Sequence, residues 1–217
     1  MSQPAFLFDL DGTLVDSEKG IVLAVNSARS EGGFQLAEPS FLRERIGLPA
    51  EHLFEDLDLE SPQLTEIILK FRELLTLSIN EGTKIFPGVV EFLEDSKSRG
   101  YSLSVVTNKP AELAQKLVLN STLRDFIDLT IGVGEFPPKP KPHMLNYCMN
   151  YWKTKNARMF GDRIEDMKAA TDSGIEGIGV AQGFHSETDL LNSGASKVFL
   201  NFYEIHKYFK DEGWGSK

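Results

Sequence analysis

The sequence predicts an α/β protein, a doubly wound parallel sheet carrying an inserted all-helical segment. Three observations predict it. A short apolar run, Ala5-Phe6-Leu7-Phe8, stops abruptly at Asp9 and Asp11, as a fully buried parallel strand does where it leaves its sheet. Residues from about Asp16 to Gly82 carry only helical patterns. From Thr83 onward helical and strand patterns alternate, which is the rhythm of a parallel sheet. A chain of 217 residues can hold one α/β domain with an insertion. The expected division is a core of residues 1–16 and 83–217 and a helical unit of residues 17–82.

Within the helical unit, Ile21, Val22, Val25 and Ala28 share one face, and Gly32-Gly33 ends that helix. Glu38-Pro39 opens a short second helix that stops at Gly47, and Leu48 to Leu57 reads as a third. Ser61-Pro62 supplies an N-cap with proline at the first helical position, ahead of a long run to Asn80. After Thr83 the expected order is helix 88–99, strand 102–106, helix 111–120, strand 126–131, helix 143–152, strand 158–160, helix 165–173 and strand 177–180. A short helix near 186–191, a strand at 198–200 and a last helix over 203–210 complete it.

Composition narrows the function. The net charge is -9, from 32 acidic and 23 basic residues, with no Lys or Arg run. Nucleic acid is therefore not an expected partner. The single cysteine, Cys148, cannot form an intrachain disulfide, and a reducing, cytoplasmic setting is expected. The start, Met-Ser-Gln-Pro, lacks a basic leader, and Asp9 interrupts the apolar stretch that follows. Neither a signal peptide nor a membrane span is expected.

In open α/β sheets ligands collect beyond the C-terminal strand ends. Four segments there carry chemistry. Asp9 and Asp11 sit two apart on a turn after the first strand; their mutual repulsion is relieved by a cation. A hard cation with oxygen ligands suits them, Mg2+ being usual beside phosphate. A carboxylate also serves as a nucleophile toward phosphorus, and a second one moves protons. Thr107-Asn108-Lys109 follows the next predicted strand and offers a hydroxyl and N–H groups to an anion. Pro137-Pro138-Lys139-Pro140-Lys141-Pro142 holds a lysine on a stiff loop, either Lys139 or Lys141. Asp162 and Asp166 lie four apart at a helix start and can complete a metal shell. Each segment alone has a plainer explanation, as a capped turn, an N-cap or a solvent-facing loop. Their conjunction, each after a strand and on one sheet edge, argues for a site.

Phe8-Asp9-Leu10-Asp11-Gly12-Thr13-Leu14-Val15-Asp16-Ser17 resembles the first motif of the haloacid dehalogenase-like phosphatases. Val105-Val106-Thr107-Asn108-Lys109-Pro110 is similar to the second, in a context like that of phosphoglycolate phosphatases. Lys139 with Pro142 and Leu145 matches the third, and Gly161-Asp162 through Asp166 the fourth. Gly179 to Phe184 and Gly194-Ala195 are similar to the family's C-terminal region. The resemblance spans nearly the whole chain and is weakest in the helical unit. It implies a Rossmann-like core with a type C1 cap that closes over the site. It implies Asp9 as nucleophile and Mg2+ ligand, and Asp11 as general acid/base with its backbone carbonyl on the metal. Thr107 and Lys139 would hold the transferring phosphoryl group, and Asn108 would give it a backbone contact. Asp162 would ligate Mg2+, and Asp166 would ligate it or orient its waters. The implied activity is hydrolysis of a small phosphorylated metabolite, phosphoglycolate first, with nucleotidase, pyrophosphatase or sugar phosphatase as alternatives.

Asp11 separates this chain from dehalogenases and phosphonate hydrolases of the same fold, which lack a carboxylate there. Sugar-phosphate mutases carry a His and an Arg where this chain has Ile21 and Ala50, so a mutase is the lesser reading. His52, His143, His185 and His206 lack ligand spacing, and Cys148, among Tyr147, Met149, Tyr151 and Trp152, reads as a buried thiol. Arg43, Arg45 and His52 flank Gly47 and read as solvated helix surface.

Overall fold

The computed structural model describes residues 3–78, 82–134 and 136–214. Its centre is β1 (Ala5–Phe8). Successive side chains of a strand point to opposite faces, and here both faces are covered. Phe6 and Phe8 join one core cluster and Leu7 another. That two-sided burial is why the strand reads as an unbroken apolar run.

The remaining parallel strands are β4 (Ser102–Pro110), β5 (Leu129–Val133), β6 (Ala157–Gly161), β7 (Glu176–Val180) and β8 (Lys197–Phe199). They assemble in the order β5-β4-β1-β6-β7-β8. β1 pairs with β4 on one side and with β6 on the other, Phe8 lying level with Val105 and Phe160. The order reverses at β1, so the ends of β1, β4 and β6 form the switch-point crevice. Helices α4 (Val89–Ser98) and α9 (Phe202–Glu212) cover the Phe6 face. Helices α6 (His143–Tyr151) and α7 (Ile164–Asp172) cover the Leu7 face, where Cys148 is fully buried as expected. Helix α5 (Ala111–Leu119) follows β4, and α8 (Glu187–Asn192) lies between β7 and β8.

The helical insertion contains α1 (Glu18–Glu31), α2 (Pro39–Arg43), a 3₁₀ segment over Ala50–Leu57 and α3 (Ser61–Ser78). It gathers its own apolar cluster, with Ile21, Val25, Leu42, Phe54, Phe71 and Leu75 buried. Leu113 of α5 and Phe184 also pack there, which seats the insertion on the sheet's edge. Arg29 is buried inside it, donating to both oxygens of Asp56 (2.9 and 2.5 Å) and to the Leu53 carbonyl (2.8 Å).

Several expectations need correction. The third helix is a 3₁₀ segment that starts at Ala50, after Pro49, which lacks an N–H to donate. The second helix stops at Arg43 rather than Gly47. Ile79 and Asn80, expected to end the long helix, lie outside the described residues. No strand was expected near the insertion, yet β2 (Val15–Asp16) pairs antiparallel with β3 (Lys84–Ile85) across its base. Two-residue strands carry no readable periodicity. The strand expected over 126–131 begins at Leu129, because Thr122–Asp125 makes a 3₁₀ turn. β4 runs on past Val106 through Thr107, Asn108 and Lys109, so these residues belong to an irregular strand end. The helix behind them begins only at Ala111.

Phe6 is fully buried and meets the rings of Phe8, Phe92, Tyr101, Phe160, Phe209 and Trp214. Replacing Phe6 with Ala should cost about 3–5 kcal/mol. Urea unfolding that shows a loss under about 1 kcal/mol would contradict this account of the core.

Candidate active site

The site is built where three parallel strands stop. β1 delivers Asp9, β6 delivers Asp162, and the first turn of α7 delivers Asp166. One carboxylate oxygen from each lies within 4.8 Å of the others. All three side chains are buried, Asp9 at 4% exposure, Asp162 at 0% and Asp166 at 1%. Asp162 is aimed by the Thr13 hydroxyl (2.7 Å) and the Phe184 N–H (2.9 Å). Asp166 accepts the Arg163 N–H (3.1 Å), a helix-capping bond that also fixes its direction. Gly12, at φ +90°, makes the turn that brings the Asp9–Asp11 loop over Asp162; a Cβ there would collide with that carboxylate.

Of the two candidate lysines, Lys139 enters this cluster and Lys141 stays exposed. The Lys139 ammonium donates to Asp9 Oδ1 (2.7 Å), Asp166 Oδ1 (2.5 Å) and the Val106 carbonyl (2.9 Å). The Asn108 side chain holds the Lys139 loop from both sides. Its Oδ1 accepts the Lys139 N–H (2.8 Å), and its Nδ2 donates to the carbonyls of Lys139 (3.4 Å) and Gly47 (3.0 Å). Thr107 is buried beside it, its Oγ1 accepting the Lys109 N–H (3.2 Å).

Asp11 is placed differently from the other three aspartates. Its carboxylate lies outside the cluster and is gripped by Lys109 at both oxygens (3.0 and 2.8 Å), with Ser17 donating to Oδ1 (2.5 Å). Any share Asp11 has in a metal shell must therefore come from its main chain. Lys109 was quoted in the sequence motif without a role; its aim became visible only through the fold. Arg163 is a second such residue. It is buried, donates to the Glu44 carbonyl (3.0 Å) and the Ile46 carbonyl, and lies against Gly47, where a Cβ would strike it. It thus ties the strand end that carries Asp162 to the insertion. Arg43, expected on solvated surface, is half exposed but reaches the Gly183 carbonyl (3.2 Å) and Phe184. Arg45 and His52 bond to Glu55 within the insertion.

The family model for haloacid dehalogenase-like hydrolases matches residues 6–180. The chain belongs to this hydrolase family. It is similar to the probable phosphatase IndB of Dickeya dadantii, at 32% identity over 93% of this chain and 90% of that one. A phosphoglycolate phosphatase of Aquifex aeolicus is 33% identical over 78% of this chain and 81% of that one. Among solved structures, a predicted phosphatase from Clostridium acetobutylicum superposes with a TM-score of 0.85 at 28% identity, over 97% of this chain and 100% of that one. Among the described residues no helix of the hydrolase is long and apolar enough to cross a membrane.

Charge decides what this hydrolase can hold. Three buried carboxylates face one ammonium, and Asp11 is already matched by Lys109. Burial pushes Asp9 up from 3.8 to about 7, with Lys139 pulling down and Asp166 and Asp11 pushing up. Burial also raises Asp162, reinforced by Asp9 and Asp166 against the pull of Thr13 and Phe184. For Lys139, burial opposes the charge, but Asp166 and Asp9 outweigh it and hold the ammonium above the ordinary lysine range. A hard divalent cation fits this all-oxygen donor set and supplies the missing positive charge.

The pH dependence follows in sign. Without metal the folded hydrolase keeps Asp9 protonated to about pH 7, whereas the unfolded chain releases that proton near 3.8. Asp9's contribution to stability is then complete below 3.8 and lost as pH rises through about 7. In chelator, calorimetric melting temperatures should fall across this window, and Asp9→Asn should make the fall shallower. Mg2+ affinity by titration calorimetry should rise about tenfold per pH unit below 7 for each proton displaced. Affinity independent of pH between 5 and 7 would contradict the charge assignment.

Proposed function

We propose that the chain hydrolyses a small phosphate monoester through an aspartyl-phosphate on Asp9, with Mg2+ as cofactor. The chain is a phosphoric monoester hydrolase of the haloacid dehalogenase-like family; the metal, the intermediate and the substrate are the reading offered here. The observation that carries it is the buried cluster of Asp9, Asp162 and Asp166 with Lys139 at the switch point of the sheet. Asp9, Asp162 and Asp166 would hold Mg2+, joined by the main-chain carbonyl of Asp11. Bound there, Mg2+ would neutralise charge on the transferring phosphoryl oxygens.

The chain's own residues divide the remaining work. An Asp9 oxygen attacks phosphorus, and the bond from phosphorus to the substrate's ester oxygen breaks. Asp11 must enter this step protonated and gives that leaving oxygen its proton; the ion pair with Lys109 and the Ser17 bond then hold the ionised carboxylate that is left. Lys139 and Thr107 stabilise the equatorial oxygens, with the Asn108 main chain beside them. Asp11 then takes a proton from water, whose oxygen attacks phosphorus and releases Asp9 and inorganic phosphate. Dividing one slow hydrolysis into two carboxylate transfers lowers each barrier.

Residues 17–82 act as a cap over the core of 1–16 and 83–217 in this reading. The ribbon of β2 and β3 forms its base, and Arg163 and Asn108 bind its 44–47 segment when closed. Phosphoglycolate is the first substrate to test, because the relative from Aquifex aeolicus is a phosphoglycolate phosphatase. The remaining expectations, a cytoplasmic setting and a small phosphorylated metabolite as partner, belong to the same reading.

The test is phosphate release from p-nitrophenyl phosphate. Turnover should require Mg2+, vanish in chelator and return on adding Mg2+. Asp9→Asn should lower kcat/KM by at least about 10^3-fold with the fold intact by circular dichroism. Undiminished turnover in either condition would end the proposal.

A further inference from the structure

We infer that Arg72 selects the leaving group by gripping a carboxylate on it. This deepens the phosphatase reading and rests on it. A cavity of about 50 Å³ lies between the insertion and the core. Asp11, the proposed proton donor to the leaving oxygen, forms part of its wall. The departing alcohol must therefore lie against this cavity. The volume admits only a few water-sized groups, so a short alcohol fits it without moving the walls.

The walls are mostly apolar, including Ile21, Ile46, Leu53, Phe71, Leu75 and Leu113. The polar groups on the wall are Asp11, Asn108, Lys109 and Arg72. Lys109 is taken by Asp11, and the Asn108 amide by Gly47 and Lys139. Arg72 is different. Its Nε is buried without a hydrogen-bond partner, and its guanidinium makes no ion pair among the described residues. Arg72 also borders a second, wider groove together with Glu73 and Glu112, and neither carboxylate is paired with it. A guanidinium beside apolar walls is a strong and selective site for a carboxylate, which it can grip with two parallel N–H donors. An alcohol without an anion would leave that Nε unsatisfied.

The other arginines of this part of the insertion, Arg43 and Arg45, are occupied by Glu18 and Glu55. In the sequence Arg72 is one polar position among others on α3, and nothing local marks it out.

The experiment compares phosphoglycolate with 2-hydroxyethyl phosphate, a near-isosteric ester that lacks the carboxylate, at saturating Mg2+. Wild type should favour phosphoglycolate. Arg72→Met should lower the ratio of the two kcat/KM values at least tenfold, mainly through KM for phosphoglycolate. Arg72→Lys should recover part of the ratio. Circular dichroism and melting curves verify that both variants fold; should Arg72→Met fail, Arg72→Gln serves in its place. An unchanged ratio, or equal hydrolysis of both esters by wild type, would overturn the inference and leave the phosphatase reading standing. No phosphate release by wild type from these esters or from p-nitrophenyl phosphate would overturn both.

Discussion

Three carboxylates held out of water around one ammonium are the constraint on which this structure turns. Asp9, Asp162 and Asp166 cannot all carry charge beside Lys139 alone without a large desolvation and repulsion cost. The fold tolerates that cost because rigid elements oblige it to. Asp9 and Asp162 follow adjacent parallel strands, and Asp166 is fixed by a helix-capping bond. A divalent cation placed among them would relieve that repulsion.

The second charge system, Asp11 with Lys109, stands apart from the first and is internally neutral. The separation has a chemical sense. A group that attacks phosphorus belongs beside the metal, whereas a group that moves protons to a leaving oxygen belongs on the leaving-group side. The structure puts Asp9 on one side of the turn and Asp11 on the other, facing the cavity beneath the insertion. The two-residue step from Asp9 through Leu10 to Asp11 accomplishes this.

The insertion is joined to these systems by polar contacts as well as by the packing of Leu113 and Phe184. Asn108 and Arg163 each follow a proposed site residue directly, and both bond to main-chain carbonyls in the 44–47 segment. The residues that hold phosphate and metal are thus mechanically close to those that hold the insertion down. Hydrogen bonds exposed by modest movement are weaker ties than a packed core, which is consistent with the cap role proposed for the insertion.

Local pattern by itself determined the alternation of strands and helices after Thr83, the all-helical segment before it, the positions of Asp9, Thr107 and Asp162 at strand ends, and those of Lys139 on a loop and Asp166 at a helix start. These are properties of short stretches: apolar runs, helical spacing, and the polar residue that ends a run. Tertiary structure alone turned Lys109 onto Asp11, sent Arg163 into the insertion and left the Arg72 Nε without a hydrogen-bond partner among the described residues, and it seated Lys139, the lysine that the motif resemblance favours, among the carboxylates. Lysine and arginine are long and flexible, so what they meet depends on neighbours brought near from distant parts of the chain. The β2–β3 ribbon was hidden for a related reason, since two residues are too few to show a period and their pairing spans the whole insertion.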